Sequence, residues 1–287
     1  MKILIVTINS IHTVRWYSQF KDNENFDLFY FDVNGATKPK SLGWIEKDHV
    51  DWKYKIPQMK KLRGKFFLKK VLGSFFGKLF LNDTAKEFEK VLIKYKPDVV
   101  HSFILNASCT PILEVMLNHK KIKWMYSAWG SDLFFNQNIP HYLADIKRTL
   151  PRLDYMFADC ERDLKLAQKL GFNGKILGCY PGGGGFYIKE DNDIKKISQK
   201  KGIIIKGYQS PKQQSINILK ALKLIKTFPV VTIFSANIEV INFVKNNFDN
   251  YTNRFKIYDS KTRIDHNEIM DLFNNNLFYI SNKYSDG

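Results

Sequence analysis

Cysteine, acidic residues and long apolar runs are all scarce in this chain of 287 residues. Its three cysteines, Cys109, Cys160 and Cys179, form no closely spaced pair, which argues against a disulfide framework and a zinc site. No apolar run approaches the roughly 20 residues of a membrane span, and the opening run is too short for a signal peptide. These absences favour a cytoplasmic protein, either soluble or peripheral on a membrane.

The shortage of acidic residues leaves a large positive charge. Lys and Arg number 45 against 28 Asp and Glu, which gives a formal net charge of +17. This charge indicates an anionic partner: nucleic acid, a membrane surface or a phosphate-bearing substrate. Hydrophobic residues make up 44% and aromatic residues 15%, enough for buried cores, so a disordered chain is excluded.

Short apolar runs alternate with helical patterns along most of the chain. In the first part, the predicted strands are 2–8, 26–31, 98–104, 123–128, 155–158 and 175–177. The predicted helices among them are 12–20, 84–95, 142–150 and 161–170. In the last third, strands 202–206, 230–234, 254–258 and 277–281 alternate with helices 213–226, 238–247 and 266–274. This alternation predicts two tandem α/β domains with parallel sheets.

A glycine-rich run and a charged stretch interrupt the alternation after Tyr180. We therefore predict a first domain at 1–185, a connection at 186–201 and a second domain at 202–287. Parallel α/β sheets bind ligands beyond the carboxyl ends of their strands, and two such domains are expected to leave a cleft between them. The loops to examine follow residues 8, 104, 128, 205 and 280.

Polar residues follow two strands of the first domain. Ser10 and His12 come after the first strand, where a helix N-terminus could face an anion; alternatively, Ser10 or Thr13 caps the helix and His12 is exposed. Asp132 comes after strand 123–128, behind a glycine turn. It is predicted to face the cleft, to cap the following segment, or to do both.

Two lysines flank the loop after strand 202–206. Lys206 ends the buried strand and Lys212 begins the predicted helix, so together they form a candidate diphosphate clamp. The alternative is that both are solvated surface lysines. Residues 191–193 spell Asp-Asn-Asp, but they lie in the connection rather than after a buried strand, so we predict no metal site.

The segment 52–82 contains no acidic residue. Lys61, Lys65 and Lys69 recur every four residues within it, among apolar and aromatic residues at helical spacing. This pattern is typical of a basic amphipathic helix at an anionic membrane surface. The alternatives are a helix packed on the domain with a solvated basic face, or nucleic-acid binding, which no recognised nucleic-acid module accompanies.

Several segments resemble one family in order and spacing. The sequences IHTVRW at 11–16, KPDVVH at 96–101 and SAWGSD at 127–132 are similar to segments of bacterial family 4 glycosyltransferases of the GT-B fold. Lys206 and Lys212 resemble the Arg and Lys that hold the donor diphosphate in that family. Asp286 resembles the first position of its E-x7-E motif, whose second carboxylate would fall beyond residue 287. The second domain is therefore expected to be incomplete, and this chain alone inactive or nearly so.

The resemblance implies two Rossmann-like domains and a UDP- or GDP-sugar donor as substrate. The donor-binding residues that it implies are Lys206, Gly207, Lys212, Asp286, Gly182 and Gly183. It places Ser10 and Arg15 on the acceptor side and makes Asp132 and His12 the catalytic candidates. It implies transfer with retention, without a cofactor or a metal.

The function implied is the transfer of a sugar to a glycan or lipid-linked acceptor in surface polysaccharide biosynthesis, such as capsule or lipopolysaccharide. The basic segment adds an expected location on the inner face of the cytoplasmic membrane, with no nucleic-acid partner. A GT-B nucleotide-sugar epimerase is the alternative enzyme, because it shares the fold and the donor site. A non-catalytic truncated fragment is the third possibility.

Overall fold

The computed structural model describes residues 1–35, 43–45, 52–55, 81–183, 194–211, 213–262 and 264–283. The chain divides into two compact units, Met1–Phe186 and Tyr187–Asp286. Each unit is built on a parallel sheet with helices in the connections between its strands, so the predicted α/β class is confirmed.

The first unit contains a six-stranded parallel sheet. Its strands are β1 (Lys2–Thr7), β2 (Asp27–Asp32), β3 (Val99–Phe103), β4 (Lys123–Ala128), β5 (Tyr155–Ala158) and β6 (Lys175–Cys179). Their order across the sheet is β2-β1-β3-β4-β5-β6. The order reverses between β1 and β3, and in such sheets ligands bind beyond the carboxyl ends of the strands at that reversal.

Five α-helices of the first unit lie within the described residues. They are α1 (Ile11–Ser18), α2 (Thr84–Tyr95), α3 (Leu113–Asn118), α4 (Pro140–Thr149) and α5 (Glu161–Lys169). Helix α2 shows why these boundaries could be predicted. The Asp83 side chain accepts the Lys86 N–H at its start, and Lys96 ends it in the left-handed region with φ 46°, just before Pro97.

Strand β1 is buried on both faces, as its continuous apolar run predicts. Leu4 and Val6 belong to the core that α2 covers, which includes Phe88. Ile3 and Ile5 belong to a second core on the opposite face, beneath α1. The sheet therefore carries α1 on one face and α2 on the other, and α1 begins directly above the carboxyl end of β1.

The second unit contains a four-stranded parallel sheet and a short antiparallel pair. The strands are β7 (Ile203–Lys206), β8 (Gln209–Ser210), β9 (Gln213–Gln214), β10 (Val231–Ala236), β11 (Phe255–Asp259) and β12 (Phe278–Ile280). The parallel sheet has the order β11-β10-β7-β12, and β8 pairs with β9. The strand order reverses between β7 and β12, which marks the candidate ligand position of this unit.

The helices described in the second unit are α6 (Ser215–Lys223), α7 (Ile238–Asn247), α8 (Tyr251–Arg254) and α9 (His266–Asn275). The predicted helix start at residue 213 is wrong. Gln213 and Gln214 are extended and pair with Gln209 and Ser210, so α6 begins at Ser215. Across the described ranges, no helix combines the length and apolarity needed to cross a bilayer.

Candidate functional site

Helix α1 begins at the carboxyl edge of the first sheet. The Ser10 side chain accepts the His12 N–H at 3.2 Å, so Ser10 caps the helix, and His12 is exposed on its first turn. The His12 ring lies edge-on to the Trp129 ring, with centroids 5.6 Å apart. The capping alternative is thus confirmed, and it presents His12 at the carboxyl edge, where parallel α/β sheets generally bind ligands.

Asp132 is 2% exposed and lies inside the first unit. Its Oδ1 accepts the Trp129 N–H at 2.9 Å, and its Oδ2 accepts the Leu105 N–H at 2.8 Å and the Tyr126 O–H at 2.5 Å. Burial raises the pKa of Asp132, while these three hydrogen bonds to the charged form oppose the increase.

These contacts join the loops that follow β3 and β4. The loops turn sharply, with positive φ at Ile104 and Gly130, and each continues into a single π-helical turn. Asp132 does not cap the following segment, since Gly130 holds the cap position, and its side chain is buried within the first unit. Its contacts are those of a positioning residue, and its catalytic role stays a prediction that this orientation does not favour.

Asp159 is a candidate that the sequence analysis did not identify. It directly follows β5, is half-buried, and accepts the Gly182 N–H through Oδ1 at 2.7 Å. A β-carbon on Gly182 would collide with Asp159 Oδ1 and would lie 3.2 Å from Trp129 Nε1, so a larger residue here would displace the Asp159 carboxylate. The same rule that singled out Asp132, a carboxylate just past a buried strand, would have found Asp159.

The glycines predicted to bind the donor therefore lie beside the predicted catalytic histidine. The position of a β-carbon on Gly183 is 3.9 Å from His12 Nδ1. The first unit thus brings together His12, Trp129, Asp159 and the glycine turn at the carboxyl edge of β1, β4, β5 and β6.

The electrostatic surroundings of Asp159 are acidic. Burial raises the pKa of Asp159, and the carboxylates of Asp132 and Asp163 raise it further, while the Gly182 N–H acts in the opposite direction. The guanidinium of Arg162 pairs with Asp163, with 2.9 Å between Nε and Oδ1. The charge of Asp159 is thus held by a backbone N–H rather than by an ion pair among the described residues.

A buried histidine fixes α1 against the sheet. His101 on β3 is fully buried, with Nδ1 2.7 Å from the Tyr17 hydroxyl and Nε2 2.6 Å from Ser127 Oγ. Burial lowers the pKa of His101 to about 3, so the ring is neutral at pH 7. This network joins α1, β3 and β4 beneath the helix that carries His12.

The second unit places Lys206 at the carboxyl end of β7. The Lys206 carbonyl accepts the Ser215 hydroxyl at 2.6 Å and Gln213 Nε2 at 2.9 Å, and these bonds close the turn into α6. The Lys206 ammonium lies 5.5 Å from the centre of the Tyr208 ring. A cation and a helix N-terminus therefore share the edge where the strand order reverses.

Gly207 allows two loops of this unit to approach each other closely. Its N–H donates to the Phe234 carbonyl at 2.7 Å, and its carbonyl accepts the Asn237 N–H at 2.9 Å. A β-carbon on Gly207 would lie 2.7 Å from Ala236 Cα, so any larger residue would separate the loops after β7 and β10. Gly207 thus sets the shape of this edge.

The remaining predicted residues are placed as follows. Arg15 is half-buried in the last turn of α1. Lys61, Lys65, Lys69, Lys212, Asp286 and the Asp-Asn-Asp sequence at 191–193 lie outside the described residues. In the described part of the chain, no three His, Cys, Asp or Glu side chains form a group that could hold a metal ion.

No protein-family model matches the sequence, and no curated protein sequence matches it significantly. Solved structures do match. The lipopolysaccharide outer core galactosyltransferase WaaB, in its apo form, is 12% identical, with a TM-score of 0.58 over 99% of this chain and 74% of that chain. S. aureus MnaA, in a co-structure with UDP, is 13% identical, with a TM-score of 0.59 over 97% of this chain and 73% of that chain.

The UDP-GlcNAc 2-epimerase from Methanocaldococcus jannaschii is 15% identical, with a TM-score of 0.54 over 97% of this chain and 78% of that chain. At these identities, the similarity shows the fold and not the activity. The chain has the GT-B fold of two Rossmann-like domains, and the predicted fold class is confirmed.

Proposed function

We propose that the protein is a glycosyltransferase that moves a sugar from a UDP- or GDP-sugar to a glycan or lipid-linked acceptor. The observation that carries this proposal is Lys206 at the carboxyl end of β7, where the strand order reverses and α6 begins a few residues later. A cation beside a helix N-terminus suits a diphosphate. The similarity to a galactosyltransferase and to a protein solved with UDP supports the same reading.

In this proposal, the second unit binds the donor and the first unit binds the acceptor. Lys206 and Lys212, the two lysines of the predicted diphosphate clamp, offset the charge of the departing nucleoside diphosphate, so transfer needs no divalent metal. Ser10 and Arg15 contribute to the acceptor side, and His12 is the exposed catalytic candidate. We further propose that the sugar is transferred with retention of its anomeric configuration, and that the protein acts in surface polysaccharide biosynthesis.

The Lys206→Ala variant should weaken UDP binding about 10- to 100-fold, while uridine binding stays unchanged. The physical reason is that only the diphosphate meets the ammonium, and a charge-assisted contact contributes about 1.5–3 kcal/mol. Calorimetric titration of the full chain with UDP and uridine measures both affinities. Lys220→Ala is the matched control, since Lys220 is an exposed lysine in the last turn of α6. Equal UDP affinity in Lys206→Ala and wild type would place the clamp elsewhere.

A nucleotide-sugar epimerase is the second candidate, because several similar structures are UDP-GlcNAc 2-epimerases. An epimerase converts its nucleotide sugar without any acceptor, whereas a glycosyltransferase requires one. Incubation of UDP-GlcNAc with the full chain alone, followed by NMR, tests for the epimerase. We expect no C2 epimer, and its appearance would favour the epimerase.

We also propose that the basic segment around Lys61, Lys65 and Lys69 attaches the protein to the inner face of the cytoplasmic membrane. Binding to phosphatidylserine-containing vesicles should decline as salt rises, since screening acts within about 10 Å at 0.1 M. Replacing the three lysines by glutamate should abolish binding in a vesicle co-sedimentation assay. Equal sedimentation with phosphatidylcholine vesicles at high salt would contradict the electrostatic mechanism.

A further inference from the structure

Asp159 has an open acceptor oxygen that Asp132 lacks. Asp159 is half-buried, and within the described ranges its Oδ2 accepts no hydrogen bond, while Oδ1 is held by the Gly182 N–H. Asp132, in contrast, is buried and uses both oxygens on three protein donors. An ionised carboxylate oxygen with no donor is a strong acceptor for a hydroxyl group.

The surroundings of Asp159 resemble those of a small-molecule site. The Trp129 indole flanks Gly182 on the side where Asp159 lies, and the exposed His12 ring contacts Trp129 edge-on. Two consecutive glycines, Gly182 and Gly183, keep side-chain bulk away from this position. An aromatic ring beside a few fixed polar groups at the carboxyl edge of a parallel sheet is a common form of ligand site.

The neighbouring carboxylates do not make this a cation site. Asp163 is paired with Arg162, and Asp132 is occupied by three donors, so Asp159 alone offers an open oxygen in this cluster of described residues. Ca²⁺ and Mg²⁺ require several oxygen ligands. A hydroxyl group requires only one.

We propose that Asp159 binds a hydroxyl group of a carbohydrate substrate through Oδ2, beside the ring of Trp129 on the first unit. The proposal rests on the glycosyltransferase function, because it identifies the group that would hold the sugar acceptor. The bond from Gly182 fixes the carboxylate at Oδ1, so Oδ2 is presented in one orientation. Gly182 then serves this carboxylate, a different role from the donor binding that the family resemblance implies.

Saturation-transfer NMR and calorimetry on the full chain test the proposal with the methyl glycosides of glucose, galactose, mannose and N-acetylglucosamine. Asp159→Asn keeps an oxygen for the Gly182 N–H but removes the charge, so the affinity for the bound glycoside should fall about 10- to 100-fold. Asp98→Asn is the matched control, since Asp98 also accepts one backbone N–H, from Lys2 at 2.8 Å, but at the amino edge of the sheet. That variant should bind as wild type does.

Monodeoxy analogues of the bound glycoside identify the hydroxyl and do not depend on the folding of a variant. One analogue should bind wild type about 10- to 100-fold more weakly than its parent, and Asp159→Asn should bind the two equally. The proposal is overturned if Asp159→Asn binds the glycosides as wild type does, if no glycoside binds wild type, or if no deoxy analogue loses affinity. UDP titration in parallel separates the two hypotheses, since a chain that binds glycosides through Asp159 but not UDP would contradict only the nucleotide-sugar function.

Discussion

The Asp132→Ala variant should lose about 3–5 kcal/mol of the free energy of unfolding of the first unit. The substitution removes one acceptor but leaves three donors without a partner, of which the Leu105 N–H and the Tyr126 hydroxyl belong to fully buried residues. Each buried donor left unsatisfied costs about 1–3 kcal/mol. The Asn variant should lose less, because one amide oxygen can still accept from part of this set.

Urea unfolding followed by tryptophan fluorescence measures this effect in the first unit alone, since all five tryptophans lie there. Hydrogen exchange should show faster exchange at the Leu105 and Trp129 amides, which Asp132 holds in the wild type. Asp22→Ala is the control, because Asp22 is an exposed carboxylate of the same unit. If Asp132→Ala is as stable as wild type, the three hydrogen bonds do not organise the loops after β3 and β4. That result would favour a direct catalytic role for Asp132.

The bounds of the helices and strands could be predicted because residues close in sequence determine them. Strand β4 at 123–128, strand β5 at 155–158 and helix α2 at 84–95 have the predicted bounds. In α2 the signals are explicit, with Asp83 as the cap and Pro97 just past the end. Such signals involve only residues that are close in sequence, so they can be recognised from a single sequence.

The loops at the strand ends could not be predicted in the same way, because tertiary contacts determine them. Ile104 takes a positive φ although it is β-branched. The turn after it is held by the hydrogen bond from the Leu105 N–H to Asp132, which lies 27 residues after Leu105 in the chain. Gln213 and Gln214 favour helix by residue type, yet Gln213 pairs with Ser210 and its side chain bonds the Lys206 carbonyl. A long-range hydrogen bond overrides local preference after Ile104, and hydrogen bonds within the turn after β7 override it at Gln213.

The candidate site likewise contains residues whose position could be predicted from the sequence and residues whose surroundings could not. Position at the end of a buried strand correctly brought Lys206 and Gly207 to the carboxyl edge of the second sheet, since strand direction alone decides this. That reasoning could not distinguish Asp132 from Asp159, because both follow a strand within a few residues. Burial separates them: Tyr126 and two amides enclose Asp132, while Asp159 keeps one oxygen open among the described residues.

Acidification from pH 7 to pH 4 should cost the first unit about 3 kcal/mol of stability through His101 alone. Burial lowers the pKa of His101 to about 3 in the folded chain, against an unfolded pKa of about 6.5. Between these values the unfolded chain binds a proton that the folded chain does not. Stability is therefore present above pH 6.5 and declines by about 1.4 kcal/mol for each pH unit below it, until the pH nears the folded pKa.

Urea unfolding at pH 7, 6, 5 and 4, with tryptophan fluorescence, measures this slope in wild type and in His101→Gln. The variant should be less stable at pH 7, because Tyr17 and Ser127 lose the ring as a partner, but its stability should depend less on pH. Burial also raises the pKa of Asp132 and of Asp159, so these groups change stability with pH in the opposite sense to His101. They are present in both proteins, so the difference in slope between the two isolates the contribution of His101. His141→Gln, which replaces an exposed histidine of α4, should keep the wild-type slope. Parallel pH profiles for wild type and His101→Gln would show that His101 takes up its proton without unfolding, and that the bonds to Tyr17 and Ser127 persist around a charged ring.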